Sequence, residues 1–159
     1  MTKKNILSGV IGLIVGCLFM GILIYNIMPN LMIIEDESKY GFEESVEKFK
    51  EAVKKHGWKL PKVHDLQKTM AKFEKNVNKV QVFEICHPDH AYKILSRDAE
   101  RVVTSLMPCR VSIYERSDKK VYVSRMNSGL MGKMMSGIIP EVMSDASRES
   151  EEIIDAIIE

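Results

Sequence analysis

Apolar residues fill positions 6–28 almost without a break, and only Ser8 and Asn26 interrupt them with clearly polar side chains. As a helix this stretch rises roughly 35 Å, enough to cross a hydrocarbon core about 30 Å thick with some tilt. Beyond it the pattern breaks into short periodic segments. Residues 31–40 read as an opening strand. Phe42, Val46, Phe49 and Val53 then recur at helical spacing, with Glu43, Glu44 and Glu47 near the start and Lys54 and Lys55 near the end. That charge order suits a helix dipole, and Gly57 suits the stop. Residues 58–63 predict a second strand, which Pro61 confines to a sheet edge. A short helix over 66–73 and a third strand over 79–85 follow. Pro88 then opens a helix through Ala91, Tyr92, Ile94 and Leu95. Alternation over 109–114 and 121–126 about Ser117-Asp118-Lys119-Lys120 is the clearest hairpin signal.

The last third is richer in thioethers. Leu130, Met131, Met134, Met135, Ile138 and Ile139 repeat as adjacent pairs every four residues, which predicts a broad helical stripe. Pro140 opens a further helix in which Val142, Ala146, Ile153 and Ile157 share a face and Glu149, Glu151 and Glu152 point outward. The expected fold is α+β, a two-layer mixed sheet with packed helices behind one transmembrane helix. Three divisions follow: an N-terminus and anchor (1–30), an α+β body (31–127), and Met-rich and acidic C-terminal helices (128–159).

Charge sharpens this picture. With 23 basic and 22 acidic side chains in 159 residues, the net charge is +1. A phosphate backbone requires clustered excess Lys and Arg, so nucleic acid is excluded as a partner. No carboxylate precedes Glu35, and Lys3 and Lys4 supply the cations ahead of the apolar run. The positive-inside bias on Thr2-Lys3-Lys4 keeps the N-terminus cytoplasmic and exports the domain, making a single-pass protein of the inner or plasma membrane. Ile14-Val15-Gly16-Cys17 is similar to a loose lipoprotein cleavage box, but the chain stays apolar after Cys17 where a polar tether is expected. A removable signal peptide fits less well, because the apolar core is long and lacks a small-x-small exit. Ser8, Gly12 and Gly16 form a small-residue stripe on which a second helix can pack, although Gly is common in membrane helices in any case.

The order of Glu37-Ser38-Lys39-Tyr40-Gly41-Phe42, Gly57-Trp58, Phe83-Glu84-Ile85-Cys86-His87-Pro88, Pro108-Cys109-Arg110-Val111 and Tyr114-Glu115 resembles the Domain of Unknown Function 302 family over residues 34–126. The resemblance implies an α+β fold, often dimeric, and no assigned reaction. His87 stands where the family has Asn or a similar residue, and the Met-rich tail lies outside the resemblance.

Cys86 and Cys109 are the residues with the most chemistry to offer, since outside the cytoplasm paired thiols are joined, metal-bound or redox-active more often than idle. His87 and Met107 flank them, and His90 follows Cys86 by one helical turn. Thiolate, imidazole and thioether suit copper, zinc or haem iron better than a hard cation. Cys86 also precedes a helix N-terminus, where the dipole lowers a thiol pKa. Geometry decides the rest: antiparallel neighbouring strands bring the two sulfurs to one sheet edge, whereas a parallel crossover parts them by about 20 Å. Unlinked structural thiols, a disulfide, and a soft-metal, haem or redox site all stay open. No Cys-x-x-Cys, Cys-x-x-Cys-His, His-Glu-x-x-His, nucleotide loop or serine elbow occurs, so no catalytic residue is assigned.

The reading placed first is a membrane-anchored extracytoplasmic domain that binds a soft metal ion or metal cofactor through Cys86, His87, His90, Met107 and Cys109. Two others compete. One is a homo-oligomeric interaction module that docks a protein through Leu130, Met131, Met134, Met135 and Ile138. The other is a thiol-disulfide redox protein. The plainer role of the methionines is to fill a core or interface, and His56 and His64 read as surface residues.

Overall fold

A computed structural model describes residues 3–158, with side chains from Val10 onward. Thr2, together with the side chains of Lys3, Lys4 and Ser8, lies outside the described residues. The chain divides into two compact units, the boundary falling between Met32 and Ile33.

The first unit is one helix, α1 (Lys3–Met32), in which the 23 residues Val10–Met32 are long and apolar enough to cross a membrane. Leu13, Leu18, Phe19, Ile22 and Tyr25 are exposed along it. Asn26 turns its amide back to the chain, donating from Nδ2 to the Ile22 carbonyl at 2.7 Å. An apolar medium demands such internal pairing, because an unpaired polar group there costs several kcal/mol. Pro29 stays inside the helix, so α1 runs past its expected end and the strand expected from residue 31 starts at Ile33. Helices of this length and apolarity serve as membrane anchors and as signal sequences alike.

The second unit runs β1 (Ile33–Glu37), α2 (Phe42–Lys55), β2 (Lys59–Asp65), α3 (Leu66–Ala71), β3 (Val80–Cys86), α4 (Pro88–Leu95), a 3-10 helix (Ala99–Leu106), β4 (Cys109–Glu115), β5 (Val121–Met126), α5 (Ser128–Lys133) and α6 (Ile139–Ile154). Its five strands form one sheet in the order β1-β5-β4-β3-β2, antiparallel at every ladder. Pro61 falls on the edge strand β2, beside a register shift between Lys59 and Lys62, where its missing N–H breaks no interior ladder.

Strand alternation sends Phe83, Ile85, Val111, Ile113, Val121 and Val123 to one face of the sheet. There they meet Phe42, Val46, Phe49 and Val53 of α2 and Ala146, Ile153 and Ile154 of α6. Phe49 and Phe83, both 0% exposed, pack edge to face with ring centroids 5.2 Å apart. The α2 stripe is thus the one its periodicity predicts, and Gly57 ends the helix in the left-handed region at φ 79°, a conformation without a Cβ penalty. Arg125 also points inward, where its guanidinium is paired with Asp36 and Glu151. A second cluster joins Ile94, Val103, Ile139 and Val142 with Met107, Met135, Ile138 and Met143.

Three expectations give way here. The methionine-rich stripe is not one helix: α5 ends at Lys133, Gly137 turns the chain at φ 69°, and α6 starts at Ile139. Met135 and Ile138 pack into the second cluster while Met134 is exposed. Finally, Glu149 and Glu151 do not point outward, since Glu151 pairs with Arg125 and Glu149 meets Trp58 and His90. A two-layer domain turns helix α6 so that its acidic positions border the buried stripe, and inward cations and N–H groups then hold them.

Candidate ligand cavity

Strands β3 and β4 are antiparallel neighbours, with Ile85 opposite Cys109. The two cysteines therefore lie at the same end of the sheet, as the antiparallel alternative required. Parity separates them all the same. Cys109 shares the inward face of its partner Ile85 and packs against the main core, whereas Cys86, one residue further along β3 and opposite the exposed Lys59, falls on the other face. Both are free thiols. Burial pushes the Cys86 thiol up, and burial together with the neighbouring Cys86 does the same to Cys109. The α4 N-terminus leads one to expect a lowered thiol pKa at Cys86; burial moves it the other way.

The next residue, His87, returns to the inner side as the N-cap of α4, and Pro88 starts the helix that places His90 one turn on. The two imidazole rings lie with centroids 4.8 Å apart, and His87 meets Trp58 edge-on at 5.7 Å. Nδ1 of both imidazoles is buried without a hydrogen-bond partner. Trp58 Nε1 donates to Glu149 Oε2 at 3.2 Å. Nε2 of His90 stands 3.0 Å from the same oxygen, at ion-pair distance but off the direction of a hydrogen bond. Burial works to raise the Glu149 pKa, but the close contact with His90, the Trp58 hydrogen bond and the nearby His87 hold it below the ordinary value.

These side chains border a cavity of about 140 Å³ between the sheet end, α4, the 3-10 helix and α6. Ile85, Ala91, Ile94, Val103, Val142 and Met143 supply much of its apolar wall. All five residues singled out in the sequence, Cys86, His87, His90, Met107 and Cys109, line it. They do not converge as one ligand set: among the described residues no three His, Cys, Asp or Glu side chains form a group that could hold a metal ion. A cavity of this size matches the roughly 150 Å³ void that accepts benzene in an engineered protein core, and has no room for a porphyrin.

Trp58 and Glu149 escaped the sequence reading. A signal for Glu149 existed, because it stands three residues after Ala146 and four before Ile153 and so borders the apolar stripe of α6. Trp58 reads as the start of an edge strand, and nothing local announces that its indole faces a histidine pair.

A five-stranded antiparallel sheet with α2 and α6 on one face, and a cavity at the end of its central strands, defines a two-layer α+β fold. The chain belongs to the family described as Domain of unknown function DUF302, which matches residues 34–159. The match extends through α5 and α6, beyond the span of the motifs that suggested it. The chain is similar to the crystal structure of the uncharacterized conserved protein DUF302 from Bacillus stearothermophilus, with a TM-score of 0.70 at 16% identity, over 79% of this chain and 98% of that one. At that identity the likeness concerns the fold. Comparison with curated proteins gives no match.

Proposed function

We propose that this protein is a membrane-tethered binding domain, with α1 in the bilayer, its N-terminus cytoplasmic and residues 33–159 on the outer side, and that the cavity beside His87, His90, Met107 and Cys109 holds a small ligand. One observation carries the reading: a benzene-scale, largely apolar cavity lined by a few polar side chains, among them His87 and His90. A concave, mostly apolar site with a small number of polar groups on its wall is the usual form of a small-molecule site. The orientation follows the Lys3 and Lys4 bias.

Trp58, the sole tryptophan, is 4% exposed and lines the cavity, so its emission reports occupancy. The full chain in lipid nanodiscs, excited selectively at Trp58 and titrated with benzene-sized molecules, shows saturable change. Replacing Ala91 by Leu fills the cavity and abolishes it. Linear, non-saturating change identical in both proteins overturns the reading.

A soft metal ion is a second reading, favoured by thiolate, thioether and imidazole donors on one wall. Anaerobic loading with Cu(I) or Zn(II), followed by metal analysis, gives one ion per chain in wild type and none in Cys109→Ser if the metal is the occupant. Zero in both removes it.

A further inference from the structure

Given a ligand cavity and an α1 that lies in lipid, as proposed above, the wall and the position of the cavity name a class of ligand. Several polar side chains of the wall are turned to other partners. Arg125 pairs with Asp36 and Glu151, and Arg110 meets Glu84 at 3.8 Å. Ser150 Oγ donates to the Ser147 carbonyl at 2.8 Å. Nδ1 of His87 and both ring nitrogens of His90 have almost no accessible surface. What the wall chiefly offers an occupant is the apolar surface of Ile85, Ala91, Ile94, Val103 and Val142. By comparison with the void that accepts benzene, the space takes about six carbons.

Position gives the source. Ser105, Arg110 and Met126 line the cavity and are also exposed, so it reaches the surface where the 3-10 helix, the start of β4 and the end of β5 come together. Met126, 43% exposed, stands opposite Ile33, 60% exposed, in the β1-β5 ladder. Ile33 follows Met32, the last residue of α1, with no linker between them. The sheet end that bounds the cavity is therefore the end at which the chain enters from its apolar helix. A tether without slack holds the second unit at a high effective concentration of whatever the bilayer contains. We propose that the cavity holds the methyl end of a single hydrocarbon chain, drawn from an amphiphile dissolved in the membrane and entering beside Met126.

The test places the full chain in phosphatidylcholine vesicles and reads the emission of Trp58, the sole tryptophan, which lines the cavity and which bromine quenches on contact. The probes are two long-chain fatty acids, one brominated at its terminal carbon and the other beside the carboxylate. If the domain only rests on the bilayer surface, the bromine near the headgroups lies closer to Trp58 and quenches it more. A chain end lodged in the cavity reverses that order. The terminal bromine is expected to quench saturably, the carboxylate-side bromine weakly, and Ala91→Leu is expected to abolish the terminal effect. Equal quenching from both positions, stronger quenching from the carboxylate side, or terminal quenching that survives Ala91→Leu overturns the proposal. Bromohexanoate, which brings a short chain from water, tests the source. Quenching by it as strong as by the terminally brominated acid, at equal total concentration, overturns delivery from lipid. If benzene-sized molecules bind saturably while neither fatty acid quenches, the cavity remains a binding site and the hydrocarbon-chain ligand falls. Failure of both removes both readings.

Discussion

At the scale of single residues, the site is governed by which side of a strand each side chain takes. Cys86 and Cys109 lie one register step apart on neighbouring strands, yet face opposite ways, so the pair behaves as two separate thiols. Burial raises both. Alkylation of the folded protein is therefore slow at neutral pH for each and speeds up only in alkali, with Cys109, packed on the main core, lagging Cys86. Mass spectrometry after a timed pulse of iodoacetamide measures the order, and rapid labelling of either thiol at pH 7 contradicts it. Glu149 gives a pH dependence of the opposite sense. Its folded pKa lies below the ordinary 4.5, so its contribution to stability is complete above about 4.5 and is lost as pH falls through the lower folded value. Glu149→Gln removes that titration and flattens the acid limb of a melting-temperature profile between about pH 5 and 2, while leaving its slope above pH 6 unchanged. An acid limb identical to wild type would mean that Glu149 is not coupled to folding.

Among elements, α5 and α6 meet closely at Gly132. A Cβ at Gly132 would come within 2.7 Å of the Met143 Cβ, closer than two such carbons can approach. Gly132→Ala therefore forces α5 away from α6. The expected loss is about 1–3 kcal/mol, the usual cost of overpacking, measured by urea unfolding. Retention of full stability would mean that α5 shifts freely. The same join explains why the methionines matter. Met143 touches Gly132 and lines the cavity, and Met135 and Met107 close the second core cluster, so the thioethers act as adaptable filling around the site. Phe49 and Phe83 tie α2 to the sheet through an edge-to-face contact. The α2 stripe was readable from spacing alone because every apolar position on it faces one flat sheet.

For the whole molecule, the question is where the second unit resides. If α1 stays in the bilayer with Lys3 and Lys4 on the cytoplasmic side, external protease added to spheroplasts digests residues 33–159 and leaves α1. A domain that is cut only after the membrane is breached reverses the orientation. A domain released without α1 identifies the helix as a cleaved leader. The cavity chemistry stands in any of these cases, because it is built wholly from residues of the second unit.

The sequence alone determined the apolar helix, the α2 stripe, the hairpin of β4 and β5 and the edge strand with Pro61, because each is a local pattern with a fixed period or a turn residue that leaves little choice. It also singled out five cavity residues by chemical type. Only the tertiary structure decided how they relate. A ladder that sets Ile85 opposite Cys109 parts two thiols that lie close in space, and an α6 rotated onto the sheet brings Glu149 to Trp58 and His90 from 91 and 59 positions away. Those relations depend on strand parity and on the packing angle between layers. Neither quantity is written in any short stretch of chain.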